Sequence, residues 1–348
     1  MASMDAAVLH GVNDLRVESV PAPNRPGPDD VLIAIRAVGL CGSDVHYWHE
    51  GRIGPYVVTN PIILGHECAG EVVEVGERVH HLRSGDRVAI EPGIPCRHCR
   101  YCVTGRYNLC REMRFFATPP IDGALAQLVA HPADLSFKLP DSMTYEEGAM
   151  LEPLSVGIYA CRRAGVQPGK SVLILGVGPV GLLCLLAAQA AGATHIYAID
   201  VKDDRLTRAV ALGASDAFRA DDSGVHDALR EVTHGEGPDI VLECSGAPSA
   251  VRQSVDLVRP GGTVVWVGMG PESFEFPTLT IGMKELDVKG LFRYAHTWPT
   301  AIELISSGRI DVKPLVTHRF PLTDVVQAFE LTRTGAEGTI KAVVTLPA

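Results

Sequence analysis

The stretch VLILGVGPVGLLCLLAAQAA, residues 172–191, decides the fold of this chain. Residues 172–175 are all apolar, which is typical of a strand buried on both faces of a parallel sheet. A glycine-rich turn follows, and residues 179–191 then predict a helix. Strand, tight turn and helix in this order form the opening of a βαβ unit. The stretch therefore predicts a parallel sheet covered by helices.

The sequence on either side of this stretch predicts two kinds of structure, with a change of character near Pro153. Before it, short apolar strands lie between glycine and proline turns. After it, strands alternate with helices, and the last segment mixes both. The predicted strands are residues 31–37, 71–75, 195–199, 239–243, 263–267 and 341–346, and the predicted helices outside the opening stretch are residues 205–212 and 300–306. The fold class is α/β, with a β-rich part and a doubly wound parallel sheet.

Composition and charge exclude several kinds of function. The 348 residues suffice for about two domains, and 46% of them are hydrophobic. The net charge of −10 argues against nucleic acid and anionic membranes as partners, because both bind basic surfaces. The start of the chain lacks the pattern of a signal peptide, and the longest apolar stretch, residues 177–191, is too short for a bilayer. We expect a cytoplasmic protein, and in such a protein tight clusters among the nine cysteines indicate metal sites.

The glycine turn predicts a dinucleotide site. Residues 176–181 fit G-x-G-x-x-G through Gly176, Gly178 and Gly181, directly between a strand and a helix. Such glycines let the backbone and the helix N-terminus approach a pyrophosphate. Asp200 ends the next predicted strand, where a carboxylate binds a ribose hydroxyl and repels a 2′-phosphate. This favours NAD, although Arg205 could hold the phosphate of NADP or stack on the adenine.

Four cysteines form the strongest local motif of the chain. Cys96, Cys99, Cys102 and Cys110 lie within fifteen residues. Four thiolates at this spacing are typical of a closed tetrahedral zinc site, which has no position left for a substrate. The motif therefore predicts a structural zinc.

A second set of metal ligands is dispersed over two segments. Cys41 lies in the first segment, with Ser43 and His46 close behind it, and His66 is followed by Glu67 in the second. A thiolate, an imidazole and a carboxylate would leave a fourth position open, as in a catalytic zinc site. We therefore expect two zinc ions per chain.

Taken together, these segments and the glycine turn resemble the zinc-containing medium-chain dehydrogenases, and among them the sorbitol (polyol) dehydrogenases. The matching stretches are residues 41–48, 51–54, 86–92, 116–120, 151–157 and 292–299. The resemblance implies a GroES-like catalytic domain with both zinc sites at residues 1–152 and 294–348. It also implies a Rossmann NAD-binding domain at residues 153–293, and a homotetramer.

The resemblance also implies a role for individual residues. Cys41, His66 and Glu67 resemble the catalytic zinc ligands, and Glu152, which contacts the zinc-bound water or the metal in some family members, is the alternative third ligand. Ser43 and His46 match proton-relay positions. The substrate pocket is implied at Tyr47, Glu152, Arg293 and Tyr294. The further cofactor contacts are implied at Val180, Asp200, Arg205, Val267, Gly268, Met269, Leu291, Phe292 and Arg293.

With these residues, the resemblance implies an oxidoreductase that transfers a hydride from a secondary carbinol of a polyol, such as sorbitol or xylitol, to NAD, giving a ketose. The polar groups of Tyr47, Glu152 and Arg293 favour a polyhydroxylated substrate. The alternatives are another zinc alcohol dehydrogenase or an L-threonine dehydrogenase. A non-catalytic, crystallin-like nucleotide-binding protein is the alternative of another class, although no zinc ligand is missing.

Overall fold

The computed structural model describes residues 2–336 and 338–347. The chain divides into two compact units, one comprising Met1–Glu152 and Trp298–Ala348 and the other Pro153–Thr297. The predicted second junction lies at 293/294, whereas the units part after Thr297. Segment 290–296 is tied by hydrogen bonds to a helix of the second unit, as described below, which accounts for its place there.

The elements follow one another in three stretches. The first stretch contains β1 (Ser3–Gly11), β2 (Asp14–Pro21), β3 (Asp30–Gly39), α1 (Gly42–Glu50), β4 (Arg52–Ile53), β5 (Tyr56–Val57), β6 (Ile62–Ile63), β7 (Glu67–Val75), β8 (Arg87–Ile90), β9 (Gly93–Ile94), α2 (Arg100–Val103), β10 (Arg114–Phe115), β11 (Leu128–Pro132), β12 (Ser136–Lys138) and α3 (Tyr145–Ala149). The second stretch contains α4 (Leu151–Ala164), β13 (Ser171–Leu175), α5 (Pro179–Ala190), β14 (His195–Asp200), α6 (Asp203–Ala211), β15 (Asp216–Arg219), α7 (Val225–Val232), β16 (Ile240–Glu243), α8 (Pro248–Leu257), β17 (Thr263–Trp266), α9 (Thr278–Met283) and β18 (Asp287–Gly290). The third contains α10 (Trp298–Ser306), β19 (Val316–Pro321), α11 (Val325–Thr334) and β20 (Lys341–Thr345).

The first unit is built on strand β3, which runs through the centre of a seven-stranded sheet of order β12-β8-β7-β3-β20-β19, with β11 also paired to β3. Its apolar side chains Ile33 and Ile35 are fully buried and belong to the core of the unit. Gly39, at the end of β3, lies opposite Glu67 of β7 and opposite Val343 of β20. Strands from both ends of the chain therefore meet where β3 ends.

The second unit is a six-stranded parallel sheet of order β15-β14-β13-β16-β17-β18. The chain moves outward from β13 in one direction and then returns to the other side of it. This order places a topological switch point between the carboxyl ends of β13 and β16, where doubly wound folds bind nucleotides. The predicted strands at residues 195–199, 239–243 and 263–267 all lie within or next to strands of this sheet, and the α/β fold class is confirmed.

Candidate active site

Asp44 holds together the two segments that supply the dispersed metal ligands. Its carboxylate is fully buried in α1 and accepts hydrogen bonds from the backbone N–H of Cys41 and of Gly65, each at 3.0 Å. The same carboxylate lies 3.4 Å from Nδ1 of His66. A carboxylate behind a ligating histidine fixes the orientation of the ring and increases its basicity. Sequence reasoning assigned no role to Asp44, although it stands three residues after Cys41.

The three dispersed residues meet in space. One ligand atom each from Cys41, His66 and Glu67 lie within 4.8 Å of one another, and His66 and Glu67 are buried. Burial by itself lowers the pKa of His66, but the Asp44 carboxylate and the Cys41 thiol outweigh it, and the net pKa is raised well above its ordinary value. The surroundings of the ring therefore favour positive charge, which suits a cation site.

Lys341 is the second residue of this site that sequence reasoning missed. Its Nζ lies 2.7 Å from both carboxylate oxygens of Glu67 and donates to the carbonyl of Leu40 at 3.0 Å. Both side chains of the pair are almost fully buried. Gly39 leaves room for this arrangement, because a Cβ there would lie 2.2 Å from Glu67 Oε2. The available signal was a lysine at the start of strand β20, directly before three apolar residues.

Glu152 lies buried in the first turn of α4, within electrostatic range of this cluster. Burial lowers the pKa of Lys341, but Glu67 and other negative groups, Glu152 among them, raise it overall. Burial also raises the pKa of Glu91 to about 7, and Glu152 adds to this effect while Tyr107 opposes it. Glu152 therefore acts electrostatically on the Lys341 end of the cluster and on Glu91.

Helix α1 presents the other predicted residues of the first unit on different faces. Tyr47 is buried, while His46 is exposed, with Nδ1 3.0 Å from Oε1 of Glu50. Ser43 is half-buried in the first turn. Trp48 packs edge-on against Phe329 with 5.6 Å between ring centroids and belongs to the core.

The four-cysteine segment folds into a separate metal-ligand cluster. The ligand sulfurs of Cys96, Cys99, Cys102 and Cys110 all lie within 4.8 Å of one another, and neighbouring pairs are 3.5 and 3.9 Å apart. Zinc–sulfur bonds of about 2.3 Å in a tetrahedron give sulfur separations of about 3.8 Å, so the sulfurs fit zinc. The backbone N–H of Cys102 is the first cause that lowers the pKa of Cys99, to about 6, whereas burial raises the pKa of Cys102 to about 12 and also that of Cys110. Among these three thiols, only Cys99 has surroundings that favour the thiolate form, which is the form that ligates metals.

The glycine turn of the second unit has the close approaches that the motif requires. A Cβ at Gly181 would lie 2.0 Å from the carbonyl oxygen of Gly176, so the first turn of α5 packs directly on the end of β13. Asp200, at the end of β14, accepts from the backbone N–H of Val177 at 2.8 Å and of Lys202 at 3.0 Å. Arg205 Nη1 is 3.7 Å from the Asp200 carboxylate. The acidic residue and the glycine turn are therefore linked directly.

Glu243 organises the next loop of the same edge, and sequence reasoning did not assign it. Its buried carboxylate accepts from the hydroxyl and N–H of Ser245 at 2.5 and 2.8 Å and from the N–H of Gly246 at 2.9 Å. Its carbonyl accepts from the N–H of Val267 and Gly268. Val267, Gly268 and Met269 thus lie beside this loop, and Met269 is exposed.

Segment 290–296 contains the remaining predicted residues and also belongs to the second unit. Tyr294 is buried, and the Arg293 guanidinium lies 4.8 Å from the ring centroid of Phe292. The first unit contains the other predicted catalytic, substrate and dispersed metal-ligand residues, namely Cys41, Ser43, His46, Tyr47, His66, Glu67 and Glu152.

No helix among the described residues is long and apolar enough to span a membrane.

Two families of domains match the chain. Residues 27–141 match the alcohol dehydrogenase GroES-like domain, and residues 179–307 match the zinc-binding dehydrogenase domain. With the two metal-ligand clusters and the doubly wound sheet, these matches define a zinc-dependent oxidoreductase. The chain belongs to the zinc-containing medium-chain dehydrogenase family, which confirms the resemblance found in its sequence.

Individual relatives are similar over nearly the whole chain. The sorbitol dehydrogenase of Rattus norvegicus is 49% identical over 330 residues, which are 94% of this chain and 92% of the rat protein. An oxidoreductase/dehydrogenase of unknown specificity from Escherichia coli has a TM-score of 0.95 at 42% identity, covering 100% of both chains. A zinc-binding dehydrogenase of Sinorhizobium meliloti bound to NADP has a TM-score of 0.91 at 32% identity, covering 99% of this chain and 100% of that one.

Proposed function

We propose that this chain oxidises a secondary carbinol of a five- or six-carbon polyol, such as sorbitol or xylitol, at C2 to a ketose, with NAD as the hydride acceptor. The observation that carries the proposal is the cluster of Cys41 with the buried residues His66 and Glu67, supported by Asp44. The 49% identity to a sorbitol dehydrogenase supports the polyol as substrate class. The two zinc sites, the residue roles below and the homotetramer are part of the proposal.

Zinc fits the ligands of the first cluster. A thiolate, an imidazole and a carboxylate are three ligand types that zinc accepts, and three protein ligands leave one position for the substrate. Glu67 would be the third ligand, with Glu152 as the alternative, and Lys341 would offset the excess negative charge. Bound zinc would supply a Lewis acid that lowers the pKa of the substrate hydroxyl.

The residues of α1 would handle the proton that the alcohol loses. Ser43 follows Cys41 closely and can accept and donate a hydrogen bond through its hydroxyl. His46 is exposed, and its imidazole would pass the proton to solvent. Its Nδ1 contact to Glu50 would leave Nε2 for the relay.

Asp200 supports NAD over NADP. Its carboxylate lies at the strand end where the adenosine ribose binds in this fold, and a negative charge there repels a 2′-phosphate. Arg205 is partly neutralised by this carboxylate, at 3.7 Å, which makes it a weaker phosphate ligand. The similar dehydrogenase of Sinorhizobium meliloti is bound to NADP, so the experiment below compares both cofactors.

The cofactor choice is tested with Asp200→Asn, which keeps the acceptor oxygen but removes the charge. We expect the wild type to prefer NAD and the variant to lose about tenfold or more of that preference. Asp204→Asn, an exposed site on α6, is the matched control. A wild type that used NADP better than NAD would point to Arg205 as a phosphate ligand.

The substrate class is tested by comparing kcat/KM for pentitols, hexitols, ethanol and L-threonine. The residues that the family resemblance assigns to the substrate, Tyr47, Glu152, Arg293 and Tyr294, carry hydrogen-bonding groups, and residues of this kind strongly penalise substrates without hydroxyls. We expect polyols to exceed ethanol by orders of magnitude, and Arg293→Ala to impair polyols far more than short alcohols. If ethanol or L-threonine exceeded every polyol, the chain would be an alcohol or threonine dehydrogenase. No turnover of any of them, with NAD still bound, would favour the non-catalytic alternative.

A further inference from the structure

Two residues of segment 290–296 have an unusual backbone conformation. Arg293 and His296 have φ values of 53° and 55°, in the left-handed region that side chains with a Cβ rarely adopt. Such conformations cost free energy and persist only where the surroundings fix them. The segment connects β18 to α10 and contains Arg293 and Tyr294, two of the four substrate residues of the proposed function.

Two neighbouring arginines hold both ends of this segment. Arg163 donates from Nε to the carbonyl of Gly290 at 3.0 Å, at the end of β18. Arg162 donates from Nη1 to the carbonyl of His296 at 2.5 Å. Both arginines lie in the last turn of α4, so their spacing is set by a rigid helix. The two hydrogen bonds bracket the whole segment, including both left-handed residues.

We propose that Arg162 and Arg163 are positioning residues for substrate and cofactor binding. They fix segment 290–296 in the conformation that presents Leu291, Arg293 and Tyr294 to ligands. The proposal rests on the proposed function for the roles of those residues. Arg163 acts at the end next to Leu291 and therefore chiefly on the cofactor, whereas Arg162 acts at the end next to Tyr294 and chiefly on the polyol.

The first test separates conformation from activity. In Arg162→Ala, Arg163→Ala and the double variant, peptides covering residues 290–297 are followed by hydrogen–deuterium exchange without substrate. We expect exchange of this segment to rise at least fivefold in the double variant, while peptides of β13 and β14 stay unchanged. Arg259→Ala is the matched control. Arg259 donates from Nε to the Asp239 carboxylate at 2.9 Å, near the amino ends of the strands of the parallel sheet, opposite to the ends that adjoin the segment. The substitution removes an arginine contact in the same unit without touching the segment.

The second test measures binding. We expect Arg163→Ala to weaken NADH binding by about tenfold, from the loss of a charge-assisted hydrogen bond, and Arg162→Ala to raise the polyol KM by a similar factor. The expected change in kcat is smaller than either. Arg163→Lys and Arg162→Lys keep a donor and should recover part of the loss. If the two arginines had only a structural role, the Tm would fall in all variants, the control included. The NADH Kd would then not change selectively in Arg163→Ala, nor the polyol KM selectively in Arg162→Ala.

Unchanged exchange of residues 290–297 in the double variant, with the KM and the NADH Kd of the wild type, overturns the proposal. Failure of the proposed function looks different, because the wild type itself would then fail to oxidise polyols. Exchange and NADH binding would still decide the role of the two arginines in that case.

Discussion

At the scale of single residues, the metal-ligand cluster depends on charges that lie far apart in the chain. Glu67 and Lys341 form an almost fully buried ion pair, and removal of one member of such a pair leaves the other charge without compensation. Zinc would offset the Glu67 carboxylate if the lysine were lost. The pair should therefore matter most for the metal-free protein.

Lys341→Met tests this. We expect it to lower the free energy of unfolding of the zinc-depleted protein by about 3–5 kcal/mol, and that of the zinc-loaded protein by clearly less. Denaturant unfolding with and without zinc measures both values. Arg333→Met, which breaks an exposed ion pair with Glu330, is the control and should cost about 1 kcal/mol or less. In the zinc-depleted Lys341→Met protein, the additional change Glu67→Gln removes the uncompensated charge and should restore the free energy of unfolding. If Lys341→Met lowered this free energy equally with and without zinc, the interpretation would be contradicted.

Glu91 gives a pH-dependent prediction at the same scale. Burial raises its pKa from 4.5 to about 7 in the folded protein. Between these values the unfolded chain has lost the proton and the folded protein keeps it, so folding stability falls as the pH rises through this range and is level above it. His131 opposes this trend, because burial lowers its pKa from 6.5 to about 4.

Comparison of the wild type with Glu91→Gln isolates the glutamate, since both proteins keep His131. We expect the variant to gain stability relative to the wild type as the pH rises from 5 to about 7, with a constant difference above that. Tyr107 can still donate to the amide oxygen of the variant, in place of its 2.7 Å hydrogen bond to Glu91. Urea unfolding at several pH values, with zinc in excess, measures the difference. Parallel stability curves would show that Glu91 is ionised throughout.

At the scale of elements, sequence patterns predicted those helices and strands whose signal lies within one continuous stretch of the chain. The strand and helix at residues 172–191 were predicted almost to their ends, as β13 and α5, because apolar runs and a glycine turn lie within one βαβ unit. Strand β18 was not predicted, since its residues are partly exposed at the edge of the sheet. Lys341 was missed for a different reason, because only the pairing of β20 with β3 brings it to Glu67.

The glycine turn gives the prediction at this scale. Gly181→Ala places a Cβ 2.0 Å from a backbone oxygen that cannot move aside, so we expect a loss of about 1–3 kcal/mol in stability. In Gly178→Ala the added Cβ would contact only the side chain of Arg205, 3.6 Å from its Nη1, so we expect stability to change by less than about 0.5 kcal/mol. Its methyl group would still hinder a pyrophosphate and weaken NAD binding. Thermal unfolding and NADH titration separate the two effects. A Gly181→Ala protein as stable as the wild type would contradict the close packing of α5 on β13.

At the scale of the whole molecule, the chain keeps its metal ligands in one unit and its glycine turn in the other. The first unit contains the open cluster of Cys41, His66 and Glu67 and the closed cluster of Cys96, Cys99, Cys102 and Cys110. The two clusters differ in how far apart their ligands lie in the sequence. The closed cluster comes from fifteen consecutive residues and could be predicted from spacing alone. The open cluster needs β3 and β7 to pair, so its third ligand was predicted only through the family resemblance.

The two clusters predict two zinc ions per chain with separable effects. Cys99→Ser opens the closed cluster, so we expect the protein to lose one zinc and several degrees of Tm, because a structural zinc contributes directly to folding. Cys41→Ser should leave the Tm close to that of the wild type but abolish turnover, since the thiolate is a ligand at the open site. Elemental analysis, thermal unfolding and polyol oxidation are measured on the same preparations, and Cys161→Ser, at a buried thiol outside both clusters, controls for the loss of a sulfur. One zinc or none in the wild type, or near-full activity in Cys41→Ser, would contradict the assignment of the open cluster as the catalytic centre.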